Sequence, residues 1–119
     1  MLGVENHGAL LGDQVLTIIR RIESPWVGVN LDTGNFFSDD PYGDLERCAP
    51  YAVNVQVKSS TRRRRRGPRT PTDYPRVARI LRDANYQGFA VVEYEDGGDL
   101  SVRVPESLQR WRSATNESG

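Results

Sequence analysis

Four short apolar runs in this sequence each end at an acidic or amide side chain. The residues at these ends are Glu5, Asp32, Gln56 and Glu93. Side chains at the carboxyl ends of parallel strands meet at one edge of a sheet. Three carboxylates and an amide oxygen gathered there suit a hard divalent cation, and Mn²⁺ or Mg²⁺ is favoured. The pattern predicts a divalent-metal site, although each residue taken singly is equally well explained as the cap of a strand or helix.

Two basic side chains lie close to the same strand ends. His7 is the only histidine, and it is either a ligand or a polar residue at a helix entrance. A single histidine disfavours a zinc site built from nitrogen donors. Lys58 directly follows the third apolar run. It is suited to neutralise an anionic substrate or an enediolate, or it is a rim residue whose stem lies along the surface.

The elements that must position these residues alternate between strand and helix. Strands are predicted at residues 2–6, 26–31, 51–58 and 89–93. The first helix is predicted to start at Gly12-Asp13, with Asp13 as its N-cap, and to end at Ile22. After a start signal at 38–41, a short helix is predicted through Asp44 to Cys48, and further helices at 74–84 and from Pro105 onwards. This alternation implies right-handed crossovers and a parallel sheet, so the fold class is α/β. A complete (β/α)₈ barrel needs about 250 residues. Four units predict half of such a barrel over residues 1–112, with a disordered tail at 113–119.

The composition limits the class and the location of the protein. With 37% hydrophobic and 27% charged residues, the chain is typical of a soluble domain. It contains no apolar stretch of the roughly 20 residues that a membrane helix needs, and no signal peptide is recognisable. The single cysteine, Cys48, is predicted to be a small buried side chain and not a nucleophile. The predicted location is the cytoplasm.

A strongly basic segment at residues 59–72 interrupts the strand and helix pattern. Seven positive charges lie within the twelve residues from Lys58 to Arg69, which leaves 9 basic and 16 acidic residues elsewhere. Clustered arginines bind the phosphates of nucleic acids, but this segment has no aromatic residues for stacking on bases. A solvated, mobile loop is the favoured prediction, and nucleic acid binding is disfavoured.

Four segments carry a resemblance to a known family, at residues 4–8, 28–35, 49–58 and 86–95. The most specific are Glu-Asn-His-Gly at 5–8 and Asp-Thr-Gly-Asn at 32–35. The chain resembles the sugar phosphate isomerase/epimerase family, which has a xylose isomerase-like TIM barrel. The resemblance extends to about Trp111 and leaves the basic loop and the tail outside it. It identifies the four predicted units as strands five to eight of the barrel, with their helices.

The resemblance implies roles for individual residues. In that family strands five to eight each supply one metal ligand, which by position are Glu5, Asp32, Gln56 and Glu93. Gln56 replaces the usual histidine. Glu5 and Glu93 would also act as acid and base, moving a proton between adjacent carbons of a ketose through an enediolate. The resemblance implies substrate contacts at Asn35 and Lys58, and His7 and Arg62 are predicted as further substrate-binding residues.

The resemblance covers only the second half of a barrel, which leaves several possibilities open. Two copies pair, a complementary half-barrel supplies the remaining wall, or the sequence belongs to a truncated or split gene. An isolated half exposes two sheet edges and an inner face expected to be apolar. The leading hypothesis is a metal-dependent isomerase or epimerase of sugars or sugar phosphates, with activity of the half alone left open. The alternatives are a non-catalytic metal- or sugar-binding fragment that works in an oligomer, and a nucleic-acid module.

Overall fold

A parallel sheet covered on one face by helices forms the framework of the protein in a computed structural model, which describes residues 1–8 and 10–117. In chain order the elements are β1 (Leu2–Glu5), α1 (Gly12–Ile22), β2 (Val27–Asp32), α2 (Pro41–Cys48), a 3₁₀ turn (Ala49–Tyr51), β3 (Ala52–Lys58), β4 (Ser60–Thr61), β5 (Thr70–Pro71), α3 (Tyr74–Asp83), β6 (Ala90–Glu93) and α4 (Leu100–Asn116). The predicted α/β class and the alternation of strands with helices are confirmed.

The main sheet has the strand order β1-β2-β3-β6, and every neighbouring pair is parallel. Strands that are successive in the chain therefore lie side by side, as they do along the wall of a (β/α) barrel. Alternate side chains of these strands point to the helices and form the core. Val29, Leu31, Val55 and Val57 are almost completely buried there.

Helix caps define where the helices begin. Asp40 accepts a hydrogen bond from the Gly43 N–H at 3.0 Å, and Asp73 accepts one from the Arg76 N–H, also at 3.0 Å. These caps explain the starts of α2 and α3. In α1 the cap position is Leu11 and not Asp13, which lies in the first turn. An acidic side chain there still stabilises the helix through its dipole.

The last helix differs from the prediction at both ends. It begins at Leu100, after Asp99 caps the Ser101 N–H, and Pro105 lies inside it. The prediction that Pro105 opens the helix is wrong, because the Asp99 cap already supplies a start one turn earlier. The predicted disordered tail at 113–119 also differs from the structure. Residues 113–116 are helical and Ala114 is buried, while 118 and 119 lie outside the described residues.

On the two central strands β2 and β3, the inner face of the sheet, opposite the helices, carries polar side chains and is not apolar as predicted. At the β6 edge the prediction holds in part, since Val91 lies on this face and is exposed. Asn54 donates to the Asn30 side chain at 2.9 Å, and Asn30 donates to Gln56 at 3.2 Å. These amides hydrogen-bond to one another across β2 and β3, so exposure of these polar side chains costs little free energy. The outer edges of β1 and β6 have no strand partner within the described residues.

The basic segment is ordered at both ends. β4 and β5 pair in antiparallel register, with Thr61 opposite Thr70. The arginines at 63–66 between them are exposed. The segment predicted to be a solvated, mobile loop is thus closed by a short antiparallel ladder, and the exposure of its arginines at 63–66 agrees with the prediction.

The single cysteine leads to a prediction about stability at alkaline pH. Cys48 is completely buried, and burial, together with the charge of Asp44, raises the pKa of its thiol from 9.0 to about 11. The unfolded thiol loses its proton at lower pH than the folded one, so the free energy of unfolding falls as pH rises from about 9 to about 11. The full effect is about 2–3 kcal/mol.

The measurement is urea unfolding between pH 8 and pH 11 for the wild type and for Cys48→Ala. The variant is expected to lose less stability over this range than the wild type. Lysine and tyrosine ionisation contributes equally to both proteins and cancels in the comparison. Parallel pH profiles would contradict the prediction.

Candidate active site

A buried lysine lies among three carboxylates at the carboxyl edge of the sheet. The Nζ atom of Lys58 is 3.0 Å from Glu93 Oε2, 2.9 Å from Glu95 Oε1 and 3.6 Å from Asp32 Oδ2. Lys58 is the only lysine in the sequence, and its side chain is 6% exposed. A cation so placed holds two acidic strand ends together. We call Lys58, Asp32, Glu93 and Glu95 the lysine-carboxylate cluster.

The sheet register explains why these residues meet. Side chains at i and i+2 of a strand share a face, so alternate residues of β2, β3 and β6 project onto the inner face. The register pairs Glu5 with Asn30, Asp32 with Gln56, and Lys58 with Glu93.

Asp32 is held as the buried member of the cluster. Its carboxylate accepts hydrogen bonds from the Gly34 N–H at 2.8 Å and from the Asn35 side chain at 2.6 Å. Its exposed fraction is 0%. Burial raises the pKa of Asp32, and these hydrogen bonds and the charge of Lys58 offset only part of that rise. Asn35, predicted to contact substrate, therefore also fixes the orientation of the carboxylate.

Lys58 keeps its proton in spite of its burial. Burial alone would lower the pKa of this amine. Hydrogen bonds from the ammonium to Glu95 and Glu93, with the charge of Asp32, more than compensate and raise the pKa above its ordinary value. The buried Glu93 Oε2 has no hydrogen-bond partner besides this ammonium among the described residues. The positive charge of the cluster is thus supplied by a side chain of the protein, the Lys58 ammonium.

Close packing also fixes the backbone around Lys58. Its N–H donates to Thr33 Oγ1 at 2.9 Å, and its C=O accepts from Thr72 Oγ1 at 2.8 Å. Gly34 lies directly against the lysine stem. A Cβ atom on Gly34 would approach Lys58 Cγ to 2.7 Å and the Ser60 carbonyl oxygen to 2.8 Å. Only glycine leaves room for the lysine here, which gives a steric reason for Gly34 in the Asp-Thr-Gly-Asn segment.

Asn6 positions Asp32, a role that was not predicted from the sequence. The register that pairs Glu5 with Asn30 would bring His7 opposite Asp32, but the chain turns away after β1. The Asn6 side chain takes over the missing ladder bonds. Its Oδ1 accepts the Asp32 N–H and its Nδ2 donates to the Asp32 carbonyl, both at 2.8 Å. An amide directly after a strand end was the one signal that could have suggested this role.

The other predicted site residues lie apart from the cluster or at its rim. Glu5 is 3.7 Å from His7 Nδ1, and that histidine side chain is largely exposed. The Gln56 amide oxygen accepts from Asn30 at 3.2 Å. Arg62 lies over the Phe37 ring, 5.6 Å from its centre, and lines a polar recess beside Lys58.

The arrangement does not fit the predicted metal site. The oxygen donors have the right chemistry for Mn²⁺ or Mg²⁺, but the Lys58 ammonium stands where it contacts two of the four predicted ligands, Asp32 and Glu93. A third, Gln56, is engaged by Asn30. In residues 1–8 and 10–117, no group of three or more histidine, cysteine or acidic side chains has a geometry that could hold a metal ion.

These features define part of a (β/α) barrel with a polar site at the carboxyl edge of its strands. The family described as Xylose isomerase-like TIM barrel matches residues 1–114, and the chain belongs to that family. This bears out the resemblance inferred from the sequence. Within the described residues, no helix combines the length and apolar character needed to cross a membrane.

A solved structure has the same architecture. The xylose isomerase domain protein from Planctomyces limnophilus aligns with a TM-score of 0.74 at 16% sequence identity, over 97% of this chain and 46% of that protein. At this identity the likeness concerns the fold, and the chain spans about half the length of that structure. Among curated proteins, none is a significant match to this sequence.

Proposed function

We propose that this chain is the catalytic half of a sugar isomerase or epimerase and that a second half-barrel completes its site. Membership of the xylose isomerase-like family supports the class of reaction. The observation that carries the proposal is the lysine-carboxylate cluster at the carboxyl edge of the strands, where barrel enzymes have their active sites. The cluster combines a carboxylate able to accept a proton with a cation able to stabilise a developing oxyanion.

The proposed mechanism is proton transfer between adjacent carbons of a ketose. The substrate oxygen takes a place beside the Lys58 ammonium, which then turns from Glu93 towards that oxygen. Glu93, released from its ion pair with Lys58, removes the proton from the carbon next to the carbonyl. Lys58 stabilises the enediolate oxygen. The proton of the neighbouring hydroxyl passes to that oxygen, and Glu5, which enters this step as the protonated acid, gives its proton to the neighbouring carbon. Asp32, fixed by Asn35 and Gly34, keeps the lysine in position.

No step in this mechanism passes through a metal ion, because Lys58 occupies the carboxylates that the ion would need. Mn²⁺ or Mg²⁺ and the Lys58 ammonium compete for Asp32 and Glu93. A divalent ion therefore binds the wild type weakly in this proposal. Binding of Mn²⁺ to the Lys58→Met variant, which is measured without turnover, tests this competition.

The proposal includes a partner. The unpaired edges of β1 and β6 lie on opposite sides of the sheet, and a second half-barrel would satisfy the backbone groups of both. The partner is a second copy of this chain or a separate complementary half. Light scattering on the purified chain distinguishes them, since a homodimer has twice the chain mass and a chain that needs another partner stays monomeric.

The test of the reaction is exchange of the ketose carbon-bound proton with solvent in D₂O, followed by NMR. Replacing Glu93 by glutamine is expected to lower the exchange rate about 100-fold or more, because the amide cannot accept the proton. Glu106→Gln is the matched control, since it removes an exposed glutamate on α4. Equal rates for Glu93→Gln and the wild type would contradict the mechanism. Absence of exchange in every oligomeric state would contradict the enzyme assignment.

A non-catalytic sugar-binding role is the second candidate. Two observations favour it, namely the glutamine at position 56 where the resemblance implies histidine, and the ion pairing of Glu93 with Lys58. In this case a ketose binds in calorimetric titration without proton exchange. The two experiments together separate binding from catalysis.

A further inference from the structure

A second polar cluster lies next to the lysine-carboxylate cluster and is centred on Asp96. The Asp96 carboxylate accepts hydrogen bonds from the hydroxyl groups of Ser59 and Ser60 and from the Arg69 guanidinium, with 2.6 Å between Ser60 Oγ and Asp96 Oδ1. Arg69 also donates to the Glu95 carbonyl at 3.2 Å. The donors come from β4, the residue before it and the chain just before β5. All of them converge on one carboxylate.

The Asp96 cluster and the lysine-carboxylate cluster share one recess. The recess is lined by Asn35, Lys58, Ser60, Arg62 and Arg69, together with the acidic residues Glu95 and Asp96. Within residues 1–8 and 10–117 Arg62 forms no ion pair, and its guanidinium lies over the Phe37 ring. The recess therefore contains a guanidinium without an acidic partner, beside a second guanidinium whose partner is Asp96.

We propose that Ser59, Ser60 and Arg69, with Arg62, form a binding site for the phosphoryl group of a phosphorylated sugar, and that Asp96 occupies this site until the substrate displaces it. Two hydroxyl donors and two guanidinium groups match the several acceptor oxygens of a phosphate monoester. The Asp96 carboxylate, which accepts hydrogen bonds from the same donors, resembles a phosphoryl group in its negative charge and its acceptor oxygens. The sugar part of this inference rests on the proposed function; the anion site does not.

The chain after Asp96 allows that residue to leave. Gly97 and Gly98 have φ angles of +79° and +87°, a conformation that glycine adopts without strain. The start of α4 is fixed separately by Asp99, which caps the Ser101 N–H at 2.9 Å. Asp96 can therefore move out while the helix stays in place. The Asp96 side chain is already 22% exposed, so a side chain that leaves the site moves directly into solvent.

The charge state of Asp96 agrees with this role. Its partial burial would raise the pKa, but hydrogen bonds from Ser59, Ser60 and Arg69 outweigh burial and lower it. The carboxylate is thus an anion at neutral pH. An anion in the site excludes inorganic phosphate and other small anions more effectively than an empty site would.

The test is calorimetric titration of the purified chain with inorganic phosphate. Asp96→Ala is expected to bind phosphate about tenfold or more tightly than the wild type, because the internal competitor is gone. Adding Arg69→Gln to this variant is expected to abolish the gain. Asp83→Ala is the matched control, since it removes an exposed acid at the end of α3. Asp96→Asn, which removes the charge and keeps the shape, replaces Asp96→Ala if the alanine variant does not fold.

Two results would overturn the anion site: phosphate binding no tighter in either Asp96 variant than in the wild type, or tighter binding that survives Arg69→Gln. A second arm compares fructose with fructose 6-phosphate. Tighter binding of the phosphorylated ketose than of either fructose or inorganic phosphate supports the substrate class. If fructose 6-phosphate and inorganic phosphate bind with equal affinity, the assignment of a phosphorylated sugar is overturned, and the site binds free anions. Neither arm requires turnover, so failure of the proposed reaction is recognised separately.

Discussion

Replacing Lys58 by methionine is expected to lower the free energy of unfolding by about 3–5 kcal/mol in the presence of a chelator. The substitution keeps the stem that packs against Gly34 and removes the ammonium. Asp32, with an exposed fraction of 0%, and Glu93 then lose their counter-charge. Urea unfolding at pH 7 measures the change, with Lys58→Arg as the variant that keeps the charge.

The same variant is expected to bind Mn²⁺ about tenfold or more tightly than the wild type. Two unit charges 4 Å apart interact by about 4 kcal/mol at the effective dielectric of a protein surface, so removing the ammonium releases both carboxylates to a competing cation. Electron paramagnetic resonance of free Mn²⁺ measures the affinity, and added Mn²⁺ should restore part of the lost stability. If the wild type already binds Mn²⁺ as tightly as Lys58→Met does, Lys58 and the metal do not compete, and the carboxylates form a metal site in spite of the lysine.

Replacing Asn6 by alanine is expected to lower the free energy of unfolding by about 2–5 kcal/mol, because it leaves the N–H and the C=O of Asp32 unsatisfied in a buried position. Both bonds to Asn6 are 2.8 Å long. The segment that is destabilised is the end of β2, which positions the Asp32 carboxylate beside Lys58. Thermal and urea unfolding measure the stability change.

Asn116→Ala, at the exposed end of α4, is the control for loss of an amide. Asn6→Asp separates the two bonds, since it keeps the acceptor for the Asp32 N–H and removes the donor to the carbonyl. It is expected to destabilise the protein as well, because it adds a buried negative charge near Asp32. If Asn6→Ala unfolds at the same urea concentration as the control, the Asn6 bonds do not hold the end of β2.

The strands and the placement of their ends were predictable because each is a short apolar run that stops at a polar residue. The burial of Lys58 was not, since a lysine after a strand serves equally well as a solvated rim residue. Asn6 was missed because a side chain that replaces ladder bonds produces no periodic pattern. The inner face was expected to be apolar by analogy with any open sheet, whereas Asn30, Asn54 and Gln56 satisfy one another across the strands.

The start of α4 was predicted wrongly for a different reason. Proline favours the first turn of a helix, and that rule pointed to Pro105. The competing signal was Asp99 with Ser101, which forms an equally good start earlier in the chain. Local signals of similar strength cannot be ranked from the sequence, and the packing of Trp111 against Tyr74, at 6.2 Å between ring centres, fixes the position of the helix only in the folded protein.

Lys58 is the sole lysine among the sixteen lysine and arginine residues. An isotope label on lysine therefore reports on this site alone. Growth with lysine labelled with ¹³C at the ε-carbon places the label in this one residue, so the labelled protein carries a single side-chain signal. The chemical shift of this signal follows the ionisation and surroundings of the Lys58 amine directly. Ligand entry, loss of a carboxylate or closure of a second half-barrel would each be observed at one resonance, without assignment of the rest of the spectrum.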